Sequence, residues 1–246
     1  MTTFLFRFAM VFLLTVFTYT ATAQTGNNIK CGMATGYPPF QFIENNQPTG
    51  FDYDVLTRVL QQVNQELYLV ADTWDEVVNH LRFAELDCVT GMEINPLREK
   101  YFDFTVPYYF RYTTVFVKED SKDIEIVRDL YGKKISGDKH SLTETIWQEK
   151  HIKDNFRLIQ TESKEQAMLM LANGETTAAI MPRSVGLYLA KQYGVKVKIV
   201  QSNYRGTPVA IAVRKGNKVL LDKLNSALQT LLSSGQLDTL QSNYQD

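Results

Sequence analysis

The sequence predicts an α/β protein. Short apolar runs of strand length alternate along the chain with stretches whose apolar residues recur at helical spacing. The composition, 246 residues with 44% hydrophobic and 22% charged, is that of a soluble globular protein of one or two domains. No internal repeat, low-complexity tract or Gly/Ser-rich linker is present, so two domains would be joined by strands rather than by a floppy tether. Lysine and arginine (26) nearly cancel aspartate and glutamate (27) without forming a basic block, which argues against nucleic acid or an anionic membrane as partner.

The first element is a leader. Phe8 to Phe17 is almost wholly apolar, Arg7 stands before it, and Ala21-Thr22-Ala23 has the A-x-A spelling of a cleavage site, together the anatomy of a secretory signal peptide over residues 1–23. The run falls short of the roughly 18 apolar residues of a spanning helix. Cleavage after Ala23 takes 23 of the 246 residues and leaves 223, and with Arg7 gone the formal charge moves from -1 to -2. No cysteine stands at the cleavage site to carry a lipid. An exported chain of this kind is free in a bacterial periplasm or secreted.

Strand candidates then follow in order: Ile29 to Ala34, Leu67 to Ala71, Asp87 to Gly91, Thr113 to Val117, Lys134 to Ser136, Phe156 to Gln160, Thr177 to Met181, Val195 to Val200 and Val209 to Val213. Helical faces fall between them: Val55, Val59, Leu60 and Val63; Val77, Val78 and Leu81; Met168, Leu169 and Leu171. A last helix carries Leu220, Leu224, Ala227, Leu228, Leu231 and Leu232, with Gly235 as its stop. Thr73 with Glu76, Ser141 with Glu144 and Ser163 with Gln166 have capping-box spelling, a hydroxyl and an acid or amide three residues apart that satisfy the free amides of a first turn.

Cys31 and Cys88 are the two cysteines, an even pair in an oxidising compartment. If their runs are neighbouring strands with side chains on one face, they can form a disulfide; otherwise they are two buried free thiols. With no histidine near them they make no metal site, and no metal or cofactor is expected. His80, His140 and His151 lack metal-ligand spacing and nucleophile context, and neither a Walker A nor a G-x-G-x-x-G sequence is present. These absences weigh against an enzyme, although paired carboxylates among 27 acids leave acid–base chemistry open.

Several segments carry a resemblance. Tyr37-Pro-Pro-Phe40, Gly50-Phe-Asp-Tyr-Asp54, Trp74-Asp-Glu, Asp87-Cys-Val-Thr-Gly-Met-Glu-Ile-Asn-Pro-Leu-Arg98 and Phe102-Asp-Phe-Thr-Val-Pro-Tyr-Tyr109 resemble the periplasmic polar amino-acid-binding proteins of ABC importers, solute-binding protein family 3. Leu130-Tyr-Gly-Lys-Lys134, Asn173-Gly-Glu and Ile211-Ala-Val-Arg-Lys-Gly216 extend it over the mature chain. The resemblance implies the two-lobe periplasmic-binding-protein fold (type II), its lobes joined by two crossover strands with ligand in the cleft. Residues 24–111 and 208–246 would form lobe 1, and 112–207 lobe 2. It also implies an inner-membrane ABC permease as partner, a small-molecule amino acid as ligand, and a monomer.

Carried over residue by residue, the resemblance assigns the ligand carboxylate to Arg98, whose planar fork suits two oxygens. A second grip comes from the start of a lobe 2 helix at Ser141 and Leu142, where Leu142 offers only its backbone amide. Tyr37 and Trp74 fall where the family places two flat walls around the ligand side chain, a setting for planar or cationic groups. The Gly91 carbonyl also faces the ligand.

Two departures bear on specificity. Pro182 stands where α-amino-acid binders commonly have a lobe 2 aspartate for the ammonium, and proline supplies neither side-chain acceptor nor amide. Glu93, often Ser or Thr in the family but acidic in arginine-binding relatives, is the replacement anion. Ala34 stands where arginine and lysine binders hold an acid, leaving Glu44 or Glu144 to swing in. Arginine or another polar amino acid is the expected ligand. The rivals are a periplasmic cyclohexadienyl-dehydratase-like enzyme on the same fold, with Glu93 as general acid, and a sensing module without transport.

Overall fold

The computed structural model describes residues 28–138, 153–200 and 206–244. The expected leader, His140, His151 and the expected second carboxylate grip at Ser141 and Leu142, with its partner Glu144, lie outside the described residues. No described helix is long and apolar enough to cross a membrane.

The chain begins with β1 (Asn28–Ala34) and a small antiparallel meander, β2 (Gly36–Tyr37), β3 (Gln41–Glu44) and β4 (Gln47–Thr49). These short, half-polar strands give no alternating apolar signal, and sequence reading missed them. Next come α1 (Phe51–Gln62), β5 (Glu66–Asp72), α2 (Trp74–Arg82) and β6 (Cys88–Glu93). Helix α1 buries Phe51, Val55, Leu56, Val59 and Leu60, the face that the apolar spacing implied. Helix α2 starts on Thr73, whose side chain accepts from the Glu76 amide at 3.3 Å, and buries Val77 and Leu81. A 3-10 turn at Arg98–Lys100 leads to β7 (Phe102–Phe104) and β8 (Tyr109–Arg111).

Only Tyr112 separates β8 from β9 (Thr113–Lys118), which opens a second layer with β10 (Lys134–Asp138), β11 (Arg157–Thr161), α3 (Lys164–Ala172), β12 (Ala178–Pro182), α4 (Arg183–Gln192) and β13 (Val197–Val200). Ser163 caps α3 by accepting from the Gln166 amide at 3.1 Å. Gln166 completes only half of a capping box, because its Oε1 accepts from the amide of Glu162 at 2.9 Å, one residue before the cap. Helix α3 buries Ala167, Met168 and Leu171, while Leu169, expected on its apolar face, is exposed. Helix α4 was not anticipated: it starts directly after Pro182 and buries Val185, Gly186, Leu189 and Ala190.

The chain then returns through β14 (Thr207–Arg214), α5 (Lys218–Ser233) and α6 (Gln236–Ser242). Leu224, Ala227, Leu228 and Leu231 of α5 are buried, Leu232 is turned outward, and Gly235 (φ 71°) ends the helix in the left-handed region as expected.

Two sheets result. One runs β5-β1-β6-β14-β7, with β8 also paired to β14; the other runs β11-β10-β12-β9-β13. Both have three parallel strands followed by antiparallel ones. The sheets are joined at Tyr112 and again between β13 and β14, and the register pairs Thr207 with Arg111 beside the first crossing. This is the two-lobe α/β arrangement. In the first sheet, parallel register sets Cys31 opposite Cys88, and the structure joins them in a disulfide with Cα atoms 4.6 Å apart.

Asp103 of β7 ties the first sheet to the turn before α5. Its carboxylate accepts from the Gly216 amide at 2.9 Å and faces Lys215 at 2.9 Å and Lys218 at 3.3 Å. The Gly216 amide, then the lysines, hold its pKa down to about 2 from 3.8. A carboxylate depressed on folding adds stability above its unfolded pKa and loses it as pH falls through the folded one. Both lysines are more than half exposed, so solvent screening leaves about 1 kcal/mol. Asp103→Asn should therefore lower stability by about 1 kcal/mol at pH 7 and flatten the loss between pH 3.8 and about 2, read by urea unfolding across that window.

Candidate functional site

A cavity of about 330 Å³ lies between the two sheets, at the carboxyl ends of their parallel strands, where open α/β sheets bind ligands. Ala34 ends β1 on its wall, Glu93 ends β6, and Trp74 opens α2; from the second sheet come Pro182 at the end of β12 and Glu162, Ser163 and Lys164 at the start of α3. Tyr37, Trp74, Gly91, Glu93 and Arg98, five residues singled out from the sequence, all line this one cavity. Glu44 does not: it is exposed at the end of β3.

A bulge shapes the floor. β14 pairs with β6 at Val209–Glu93 and Ala210–Met92, but at Ala212–Val89 and Val213–Cys88 beyond it, so Thr90 and Gly91 together face Ile211. Gly91 has φ 67°, and a Cβ there would collide with the Gln41 amide and the Asp52 carboxylate, so glycine is required twice over. The bulge turns the buried Thr90 hydroxyl toward the Asp52 carbonyl, to which it donates at 3.0 Å.

Arg98 is set by its loop. Its amide donates to Asn95 Oδ1 at 2.9 Å, its Nη1 donates to the Glu93 carbonyl at 3.0 Å and lies 3.5 Å from Glu93 Oε2, and its guanidinium sits 5.2 Å from the Trp74 ring centre. Burial, only partly offset by Glu93, draws its pKa below the ordinary arginine value.

Glu93 has a second cation. Arg111, the last residue of β8 and 6% exposed, places Nη1 3.6 Å from Glu93 Oε1. Its Nη2 donates to the Gly91 carbonyl at 3.4 Å and to the Tyr109 hydroxyl, and lies 3.7 Å from Asp52 Oδ2. Its guanidinium lies 4.4 Å from the Tyr37 ring centre. Burial opposes its charge, but Tyr109, Tyr37, Glu93 and Asp52 outweigh burial and hold it protonated. Behind it, fully buried Asp52 accepts from Tyr108 at 2.6 Å, Gln41 at 2.8 Å and Tyr109 at 3.3 Å. Burial raises the Asp52 pKa, opposed first by Arg111 and then by these donors.

The Gly91 carbonyl, expected to face a ligand, is thus engaged by Arg111, and Glu93 is shared by two arginines. From the second sheet, Lys164 Nζ comes within 4.6 Å of the Tyr37 ring centre, and Tyr188 of α4 meets Phe42 of β3 at 5.8 Å, so contacts across the cleft bound the cavity. Lining acids Asp75, Glu93 and Glu162 match lining cations Arg98, Arg111 and Lys164. Sequence reading missed Arg111, Lys164, Asp75 and Glu162. Asp75 lay inside the quoted Trp74-Asp-Glu segment, and Glu162 and Lys164 flank the recognised cap Ser163; Arg111 had no local signal beyond its place at the crossing.

The family model of the bacterial extracellular solute-binding proteins, family 3, matches residues 29–246, all but the first 28 residues of the chain. The chain belongs to that family. This family 3 binding protein is 32% identical over 235 residues to a protein of Escherichia coli (strain K12) named ABC transporter arginine-binding protein 1, covering 93% of this chain and 94% of the relative. Its fold matches an ancestral arginine-binding protein bound to arginine, with TM-score 0.81 and 28% identity over 89% of this chain and 98% of the other. It also matches an ancestral amino-acid-binding protein that is a precursor of cyclohexadienyl dehydratase, with TM-score 0.79 and 27% identity over 89% and 96% of the two chains. Family membership makes the protein a solute-binding protein, with the inter-sheet cavity as the place where its family 3 architecture can enclose a solute.

Proposed function

We propose that the mature protein, cleaved after Ala23 and free in the periplasm as a monomer, captures a polar amino acid, arginine first, and presents it to an inner-membrane ABC permease without transforming it. In this reading residues 24–111 and 208–246 are lobe 1, and 112–207 are lobe 2. The observation that carries it is the pairing of Arg98 with Glu93 in a cavity walled by both sheets, with Trp74 beside the Arg98 guanidinium and Tyr37 lining the same cavity. A free amino acid presents one carboxylate and one ammonium, and the Arg98 fork and the Glu93 carboxylate match them. Pro182, on the lobe 2 wall, supplies no anion, so Glu93 takes the ammonium.

The cavity-lining acids and cations balance, which suits a zwitterion, and Asp52 stands behind them 3.7 Å from Arg111 Nη2. The names of the relatives favour arginine. Ligand contacts to both lobes would favour the closed state through differential affinity.

A fluorescence thermal-shift screen of the mature protein against the twenty amino acids and common polyamines tests this. L-arginine at about 100 times its dissociation constant should stabilise the protein by roughly 2.7 kcal/mol. Incubation with prephenate should yield no product. No shift with any amino acid, or turnover of prephenate, would contradict the reading.

A further inference from the structure

Arg111 has no part in the amino-acid contacts proposed above, yet it is the most enclosed cation of the cavity and sits where the chain first leaves the first sheet. Glu93 lies between two guanidinium groups, with Oε2 3.5 Å from Arg98 and Oε1 3.6 Å from Arg111. The charges alternate in space: Asp52, Arg111, Glu93, Arg98. Without Arg111, Glu93 would have Arg98 as its sole close cation among the described residues. That internal pair would then compete with any ligand for both of its own anchors. A cation on the far oxygen divides the attraction and fixes the carboxylate from behind.

Resting on the reading that this site takes an α-amino acid, we propose that Arg111 is the positioning residue of the ammonium site, holding the Glu93 carboxylate back from Arg98 so that a ligand's ammonium and carboxylate insert between them. Bound ligand then extends the alternation, with its ammonium on Glu93 and its carboxylate on Arg98. The anchorage of Arg111 suits this task. Gly91, Tyr109 and Asp52 hold Nη2, and Tyr37 covers the guanidinium at 4.4 Å. Only Nη1 is directed to Glu93, and the buried Nε has no hydrogen-bond partner among the described residues. The ammonium anchor is thereby built wholly into lobe 1, which accounts for the tolerance of Pro182 in lobe 2.

The test is a double-mutant cycle of Arg111→Gln and Glu93→Gln, read by titration calorimetry with L-arginine and its des-amino analogue 5-guanidinopentanoate. If another of the twenty amino acids binds more tightly, that amino acid and its des-amino analogue replace them. Wild type should prefer the amino acid over the des-amino probe by about tenfold or more. Arg111→Gln should weaken the amino acid about tenfold and shrink that preference, and should add little in the Glu93→Gln background, because it acts through Glu93. Arg111→Lys, which keeps a positive charge beside Glu93, should retain more of the preference than Arg111→Gln, and serves if the latter fails to fold. Effects that multiply, a preference unchanged in Arg111→Gln, or a preference that Arg111→Lys retains no better than Arg111→Gln, would overturn the assignment while leaving amino-acid capture intact. Failure of wild type to bind any amino acid would overturn the functional reading itself, and this assignment with it.

Discussion

Arg98→Ala is expected to weaken amino-acid binding about a hundredfold or more while the protein still folds. Removing one member of a buried, hydrogen-bonded charge pair costs about 2–5 kcal/mol, or roughly thirty- to several-thousandfold in affinity. The upper part of that range applies to a fork that engages both carboxylate oxygens. The fold should tolerate the loss for two reasons. The Arg98 side chain is 21% exposed at the cavity wall, and Glu93 keeps Arg111 as a counter-ion. Titration calorimetry gives the affinity, and urea unfolding without ligand checks the fold. Unchanged affinity in a folded variant would remove Arg98 from the site. Arg98→Lys should fall between, since it keeps the charge and loses the fork.

Loss of the Cys31–Cys88 bridge should have the largest effect on stability. The cysteines are 57 residues apart, and opening a loop of that length restores chain entropy worth about 4 kcal/mol to the unfolded state. The loop contains Tyr37 and Trp74, so the bridge also fastens together part of the first sheet's wall of the cavity. A Cys31→Ser, Cys88→Ser protein should unfold at markedly lower urea, and adding reductant to wild type should produce the same shift. An unfolding midpoint insensitive to both changes would show that the parallel strand pairing holds β1 and β6 together unaided.

Apolar runs located the central strands well, because strands buried on both faces write themselves as continuous hydrophobic stretches, as Cys88 to Met92 does. Edge elements were less legible. β2, β3 and β4 are too short and too polar to show a period, and α4 follows a strand with no intervening turn. Exposed leucines such as Leu169 and Leu232 extended the expected apolar faces by one position, an ambiguity inherent in reading a 3.6-residue period from side chains alone.

The site divides along similar lines. Tyr37, Trp74, Glu93 and Arg98 sit in local segments with recognisable spelling, and the fold collects them in one cavity. The bulge at Thr90–Gly91 exists only in the pairing of β6 with β14, more than a hundred residues away. Arg111 is legible only in three dimensions. Its meaning depends on Asp52, Gly91 and Glu93, which β8 meets through the sheet. Sequence reading singled out Glu93 and Arg98, and tertiary structure added Arg111, the second cation beside Glu93.

The most direct test of amino-acid capture is a calorimetric titration of the mature wild-type protein with L-arginine. One ligand should bind per chain, with saturable heat and an affinity that collapses in Arg98→Ala. Absence of heat with arginine and with every other amino acid, or equal binding by the Arg98→Ala protein, would contradict the placement of an amino acid between Arg98 and Glu93.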